Sequence, residues 1–266
     1  MPDALRRSRK QRHGTELLCE RVYRPLAHGV VVALAPLRVP PPLVVAASGA
    51  TGLAAAVELA RGQLLLAAVL LQAKTVLDNA DGQLARLTGR VTAFGRYLDS
   101  EVDLLLDAAL FAALGWRTGH AALALAGFLA LTAVLSVNFN LERLYRAEHD
   151  GPAAAAPEPG RATAVVRALY RLVYAPQDRL VERFVERRLR GRAPAERLAY
   201  HDSATVAVLA NLGLSTQLAA FGVLLAVGHP LAFAWLCLGE LAVVAVLALR
   251  REVRLRGPVS PRQEVT

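Results

Sequence analysis

The length of its apolar runs constrains this chain most. Residues 43–60, 121–139, 204–227 and 231–249 are each an almost unbroken apolar stretch. About 20 such residues form a helix that crosses a bilayer. Two shorter runs, Leu64–Leu77 and Leu104–Trp116, stop at Asp78 and start after Asp103. They become long enough to span if the acidic segment between them continues both helices. Its charges must then face the bundle interior, because isolated charges facing lipid cost several kcal/mol each. The pattern predicts an all-α integral membrane protein with six transmembrane helices. The composition agrees: 55% of residues are hydrophobic and the mean hydropathy is +0.36.

The 31 Lys and Arg against 22 Asp and Glu leave a net charge of +9. A basic chain this apolar points away from nucleic acid and towards an anionic membrane face or substrate. Residues 1–42 form a basic tail leading into an amphipathic helix, from about Glu16 to Leu37, that suits the membrane interface. Pro40-Pro41-Pro42 then breaks the chain. No signal peptide is expected, since no apolar run with a cleavage site follows the first 24 residues. Spans one to four occupy 43–146, a basic insertion 147–203, spans five and six 204–249, and a basic tail 250–266. Within the insertion, Arg161–Tyr174 and Pro176–Arg192 read as two interfacial helices after an Ala/Pro/Gly linker. With six spans, nearly all Lys and Arg fall on one side, expected to be cytoplasmic, in the plasma membrane with both termini inside. The chain reads as one membrane domain without internal repeats. Cys19 and Cys237 lack metal-ligand spacing and receive no function.

The chemistry concentrates in DNADGQLARLTGRVTAFGRYLDSEVD, from Asp78 to Asp103. Asp78 and Asp81 stand at i and i+3, and Asp99 and Asp103 at i and i+4, so each pair shares a helix face. A turn near Gly89-Arg90 lets a hairpin gather the four carboxylates. Clustered like charges raise one another's pKa, and a hard divalent cation such as Mg²⁺ relieves the repulsion. The bland alternative is an acidic cluster paired with Arg86, Arg90 and Arg96, but it leaves Gly82 and Ala85 unexplained. Those small residues leave room for a ligand against the acidic face.

The segment resembles the signature of the CDP-alcohol phosphotransferase (CDP-alcohol phosphatidyltransferase) family, D-x2-D-G-x2-A-R-x8-G-x3-D-x3-D, at every specified position. The resemblance implies transfer of a substituted phosphoryl group from a CDP-linked donor to an alcohol, releasing CMP. It implies two divalent ions, Mg²⁺ or Mn²⁺, on Asp78, Asp81, Asp99 and Asp103, with Asp103 also the general base. Gly82, Ala85 and Arg86 would hold the CDP group. A homodimer is a further implication. A site within the inner leaflet favours a lipid donor such as CDP-diacylglycerol, in phospholipid biosynthesis. A choline- or ethanolamine-type enzyme, with a soluble CDP-alcohol and a lipid acceptor, stays open. A cation-binding transporter would explain the aspartates but not Gly82, Ala85, Arg86 and Gly95. One departure stands out. Pro40-Pro41-Pro42-Leu43-Val44-Val45 replaces the Pro-Asn-x-x-Thr-like start of span one in many members.

Outside the motif, Lys74 lies one helical turn before Asp78 and is read as its structural counter-ion. Asn138, Asn140, Glu142, Arg143 and Arg146 are either acceptor-pocket residues or ordinary interface residues. Asn211, Ser215, Thr216 and Gln217 read as bonding across helices, and Asp202 as a helix cap.

Overall fold

The computed structural model describes residues 13–151 and 161–256, side chains excepted over 161–173. The tails 1–12 and 257–266 and linker residues 152–160 lie outside the described residues. Among those described, every regular element is helical. A π-helical turn, Cys19–Tyr23, runs into α1, Arg24–Leu34. Then follow α2 (Pro41–Ala60), α3 (Leu64–Leu87), α4 (Ala93–Thr118) and α5 (Ala121–His149). The second half holds α6 (Arg161–Leu189), α7 (Pro194–Tyr200), α8 (Ser203–Ala210), α9 (Leu214–Ala226) and α10 (Ala232–Arg256).

Local chemistry sets the boundaries. Pro41 and Pro42 sit in the first turn of α2, where a missing N–H costs nothing. The α3–α4 turn uses Gly89 at φ 68°, and Thr92 caps α4 by accepting from the Gly95 N–H at 3.0 Å. Asp202 caps α8, accepting from the Thr205 N–H at 3.1 Å.

Among the described residues, four segments are long and apolar enough to cross a membrane: Pro41–Ala60, Ala121–His149, Pro194–Ala226 and Ala232–Leu255. The chain is a multi-pass membrane protein. The largest core cluster joins α2, α3, α4, α5, α9 and α10 around Leu59, Leu71, Leu114, Leu131, Phe221 and Phe233. Phe221 stacks on Phe233 with ring centroids 4.3 Å apart. Small residues allow the close crossings: a Cβ on Gly127 of α5 would lie 2.9 Å from Cα of Ala234 on α10.

Two boundaries differ from the sequence reading. Residues 161–189 form one helix through Pro176 rather than two. A proline removes a single helical hydrogen bond. Beyond it, Val185 and Leu189 are buried in a core with α5, α8 and α10, which holds the far half in line. The 204–227 run, conversely, divides at Asn211–Gly213. There Asn211 Oδ1 accepts from the Leu17 N–H at 3.0 Å, and Asn211 Nδ2 donates to the Thr15 carbonyl at 2.9 Å. Glu16 Oε1 accepts from the Thr216 N–H at 3.0 Å, capping α9 from the far end of the chain. The Glu16 bond satisfies a backbone N–H that the break leaves free, and the two Asn211 bonds tie the N-terminal segment to it. Gln217 donates to Glu240 and Asn79 to Ser215, so the polar residues of this segment do bond across helices.

Candidate active site

Helix α2 packs along both α3 and α4, while α3 and α4 barely approach one another by backbone. Their acidic faces therefore border a cleft rather than a helix–helix seam. Lys74 lies at its floor, fully buried. Its Nζ donates to Asp78 Oδ1 at 2.9 Å and to Asp103 Oδ1 at 2.5 Å, tying the two motif helices together. The counter-ion reading of Lys74 holds for Asp78. The bridge to Asp103 was not legible, because it depends on how α4 docks.

Carboxylate oxygens of Asp78, Asp99 and Asp103 all lie within 4.8 Å of one another. Asp81 stands outside that trio. It is buried, and its Oδ2 has no hydrogen-bond partner among the described residues. Asp81 and Asp99 face a cavity of about 330 Å³ whose wall carries Gly82, Ala85, Arg86, Arg90, Arg96, Pro41 and Pro42. Two motif glycines acquire a steric reason here. A Cβ on Gly82 would lie 3.2 Å from Arg86 Nη1, and one on Gly95 would lie 3.2 Å from the capping Thr92 Oγ1. The first would crowd the guanidinium at the cavity wall, the second the start of α4. Pro41 and Pro42 present no side-chain hydrogen-bonding group to this cavity, where a polar span-one residue was missing from the motif comparison.

Residues 39–248 match the CDP-alcohol phosphatidyltransferase family. The chain belongs to that family. Two archaetidylinositol phosphate synthases are similar over shorter stretches. That of Pyrococcus horikoshii is 48% identical over 46 residues, 17% of this chain and 24% of the relative. That of Methanothermobacter thermautotrophicus is 40% identical over 86 residues, 32% of this chain and 43% of the relative. The matched stretches thus span less than half of either curated relative.

CDP-alcohol phosphatidyltransferases use a divalent metal, and the donor set here fits one. Three mutually close carboxylates offer only hard oxygen atoms, the chemistry of Mg²⁺ and Mn²⁺ sites. Lys74 pairs with Asp78 and Asp103, and Asp99 brings a third carboxylate to the same cluster. Asp81 Oδ2 is a further buried acceptor without a hydrogen-bond partner among the described residues.

On the other side of Asp103 a second cavity, about 220 Å³, opens between α4, α5, α6 and α9. Its wall includes Asp103, Asp107, Tyr174 and Asp178. Asp107 lies inside the apolar run Leu104–Trp116, and Tyr174 and Asp178 come from the basic insertion, far along the chain from the motif. Tyr174 reaches it by donating to the Ser100 carbonyl at 3.0 Å. Arg143 and Arg146, weighed as acceptor-pocket residues, border neither cavity. Arg143 donates to Asn140 Oδ1 at 3.0 Å and pairs with Glu182, while Arg146 donates to Glu142 at 2.6 Å.

Proposed function

We propose that this protein is an integral membrane phosphotransferase of phospholipid biosynthesis. It moves a phosphatidyl group from a CDP-linked lipid donor such as CDP-diacylglycerol to an alcohol and releases CMP. The carrying observation is the meeting of an arginine-lined cavity with a half-buried carboxylate cluster, inside a membrane bundle. Membership of the family supports the reaction class, and the name of the two relatives supports a place in phospholipid synthesis.

In this reading Arg86, Arg90 and Arg96 receive the donor's diphosphate, since guanidinium groups bind phosphate oxygens through charge-assisted, often paired, hydrogen bonds. Gly82 and Ala85 let the CDP group approach the α3 backbone. Asp78, Asp81, Asp99 and Asp103 hold two divalent ions, Mg²⁺ or Mn²⁺. When bound, those ions neutralise the diphosphate and stabilise the departing CMP. Asp103 takes the proton of the acceptor hydroxyl as that oxygen bonds to phosphorus and the bond to CMP breaks. Lys74, holding one oxygen of Asp103, fixes its position. The acyl chains of the donor lie along the apolar faces of the bundle.

The topology follows the same reading. Helices α3 and α4, with 24 and 26 residues, are long enough to span and complete six crossings with the four apolar segments. The N-terminal helix lies in the interface, and the basic segments face the cytoplasm at the plasma membrane. The whole chain then acts as one membrane domain.

Reconstitution tests the proposal. Vesicles containing the protein and CDP-diacylglycerol should release CMP when a panel of alcohols and Mg²⁺ are supplied, and excess EDTA should abolish release. Full turnover in EDTA would remove the metal from the scheme. Cation flux without CMP release would identify a transporter instead.

A further inference from the structure

Helix α6 carries two unlike faces. Towards the bundle, Asp178 accepts from Asn140 Nδ2 at 2.7 Å, and Val185 and Leu189 are buried. On the opposite side Arg179, Arg183, Arg187 and Arg190 recur at three- and four-residue spacing, all exposed. Leu180 and Phe184 stand on that same side, 72% and 47% exposed. We propose that this outward face docks on the headgroups of anionic phospholipids, and that docking orders the wall beside Asp103. The effect on turnover rests on the phosphotransfer reading above; the docking itself does not.

The residue types fit one surface. Two large apolar side chains one turn apart gain nothing from water, whereas the boundary between headgroups and acyl chains accepts both them and the arginines beside them. The charge selects anionic lipid. Along the arginine row Glu182 is paired with Arg143, which leaves Glu186 as the one exposed acid against four arginines. Arg188 and Arg192 are tied to Glu252 and Glu196, at 3.2 Å and 2.9 Å, but Arg179, Arg183, Arg187 and Arg190 form no ion pair with any described residue. The level also fits. Tyr174 and Asp178 line one cavity with Thr132 and Ser136 of the apolar segment Ala121–His149, so this part of α6 lies beside a segment able to cross the bilayer. The same helix reaches the site. Tyr174 donates to the Ser100 carbonyl of α4 at 3.0 Å, and Tyr174 and Asp178 share a cavity wall with Asp103. A helix held from outside holds its inner face in register with α4 and α5.

The test places the full chain in nanodiscs of phosphatidylcholine with a rising fraction of phosphatidylglycerol. Both native cysteines are buried, so Leu180→Cys takes an environment-sensitive fluorophore on the outward face. The probe should pass from water to an apolar environment as phosphatidylglycerol increases. Replacing Arg179, Arg183 and Arg187 by Gln should lower the ratio of docked to free probe roughly 5-fold per arginine, about 10²-fold in all, and Lys at the three positions should restore most of it. With CDP-diacylglycerol, an alcohol panel and Mg²⁺ held constant, CMP release by the unlabelled protein should rise with phosphatidylglycerol, and the Gln variant should lose that dependence. A probe that stays in water at every composition overturns the docking. A probe equally buried in phosphatidylcholine alone, or one shielded by added polyglutamate and not by phosphatidylglycerol, overturns the choice of anionic lipid. A docked probe with turnover indifferent to phosphatidylglycerol overturns the link to the site. Absence of CMP release in every disc refutes the phosphotransfer reading instead, and the probe still decides the docking.

Discussion

Lys74→Met removes the cation that joins the two motif helices while roughly keeping the length of the side chain. Lys74 is fully buried and donates to both Asp78 and Asp103, whose side chains are only 20% and 18% exposed. Removing one partner of a buried ion pair costs ~3–5 kcal/mol, because the remaining charge stays behind uncompensated. The cleft admits some water to both carboxylates, so the lower end, ~3 kcal/mol, is the better figure for this site. At about 2–4 °C per kcal/mol for a chain of this size, the melting temperature should fall by roughly 6–12 °C. That loss applies in EDTA. A divalent ion added to the carboxylates supplies the missing charge and should recover much of it, so Mg²⁺ should raise the melting temperature of Lys74→Met more than that of the unaltered protein. Thermal unfolding of both proteins in detergent, with and without Mg²⁺, measures the two differences. If the variant melts within about 2 °C of the unaltered protein in EDTA, Lys74 does not stabilise the cluster. If Mg²⁺ shifts the two proteins equally, the lysine and the metal do not share the same charges.

Asp103→Asn should lower turnover by about 10²–10⁴-fold, the usual contribution of a general base, with donor binding retained at saturating Mg²⁺. Turnover near that of the unaltered protein would place the base elsewhere. Arg86→Ala should raise the KM for the CDP donor roughly 10- to 100-fold and leave the acceptor KM alone, and an unchanged donor KM would separate Arg86 from the diphosphate. Gly127→Ala should destabilise the protein by ~1–3 kcal/mol, since its Cβ would meet the α10 backbone at Ala234 and the Phe111 ring, each at 2.9 Å. Unfolding of that variant at the unaltered temperature would show that α5 and α10 can part without cost.

What could be read in advance was what lies close along the chain. Apolar runs, the prolines opening α2, the glycine turn at Gly89 and the i, i+3 and i, i+4 spacing of the aspartates are local properties, and local periodicity carries them into helices. The same locality explains both misplaced boundaries. Pro176 looks like a break because a proline costs one hydrogen bond, yet packing beyond it at Val185 and Leu189 outweighs that loss. The division at Asn211–Gly213 looks like uninterrupted span because its stabilising partners, Thr15, Glu16 and Leu17, are almost the whole chain away.

The active site repeats this pattern at the level of chemistry. Membership of the motif predicts that four aspartates gather, and the structure draws three of them, Asp78, Asp99 and Asp103, into one cluster. It leaves Asp81 turned towards the arginine-lined cavity, a division that identical side chains at regular spacing cannot reveal. Spacing along α3 shows the pairing of Lys74 with Asp78 but not with Asp103, and Asp107 and Asp178 acquire their surroundings only when α4 and α6 dock. A charge retained inside a membrane bundle is costly wherever it lies. Lys74 offsets that cost through two carboxylates from different helices. Asp107, one turn beyond Asp103, has no such partner among the described residues, and a buried carboxyl group in that position meets the cost most cheaply by keeping its proton.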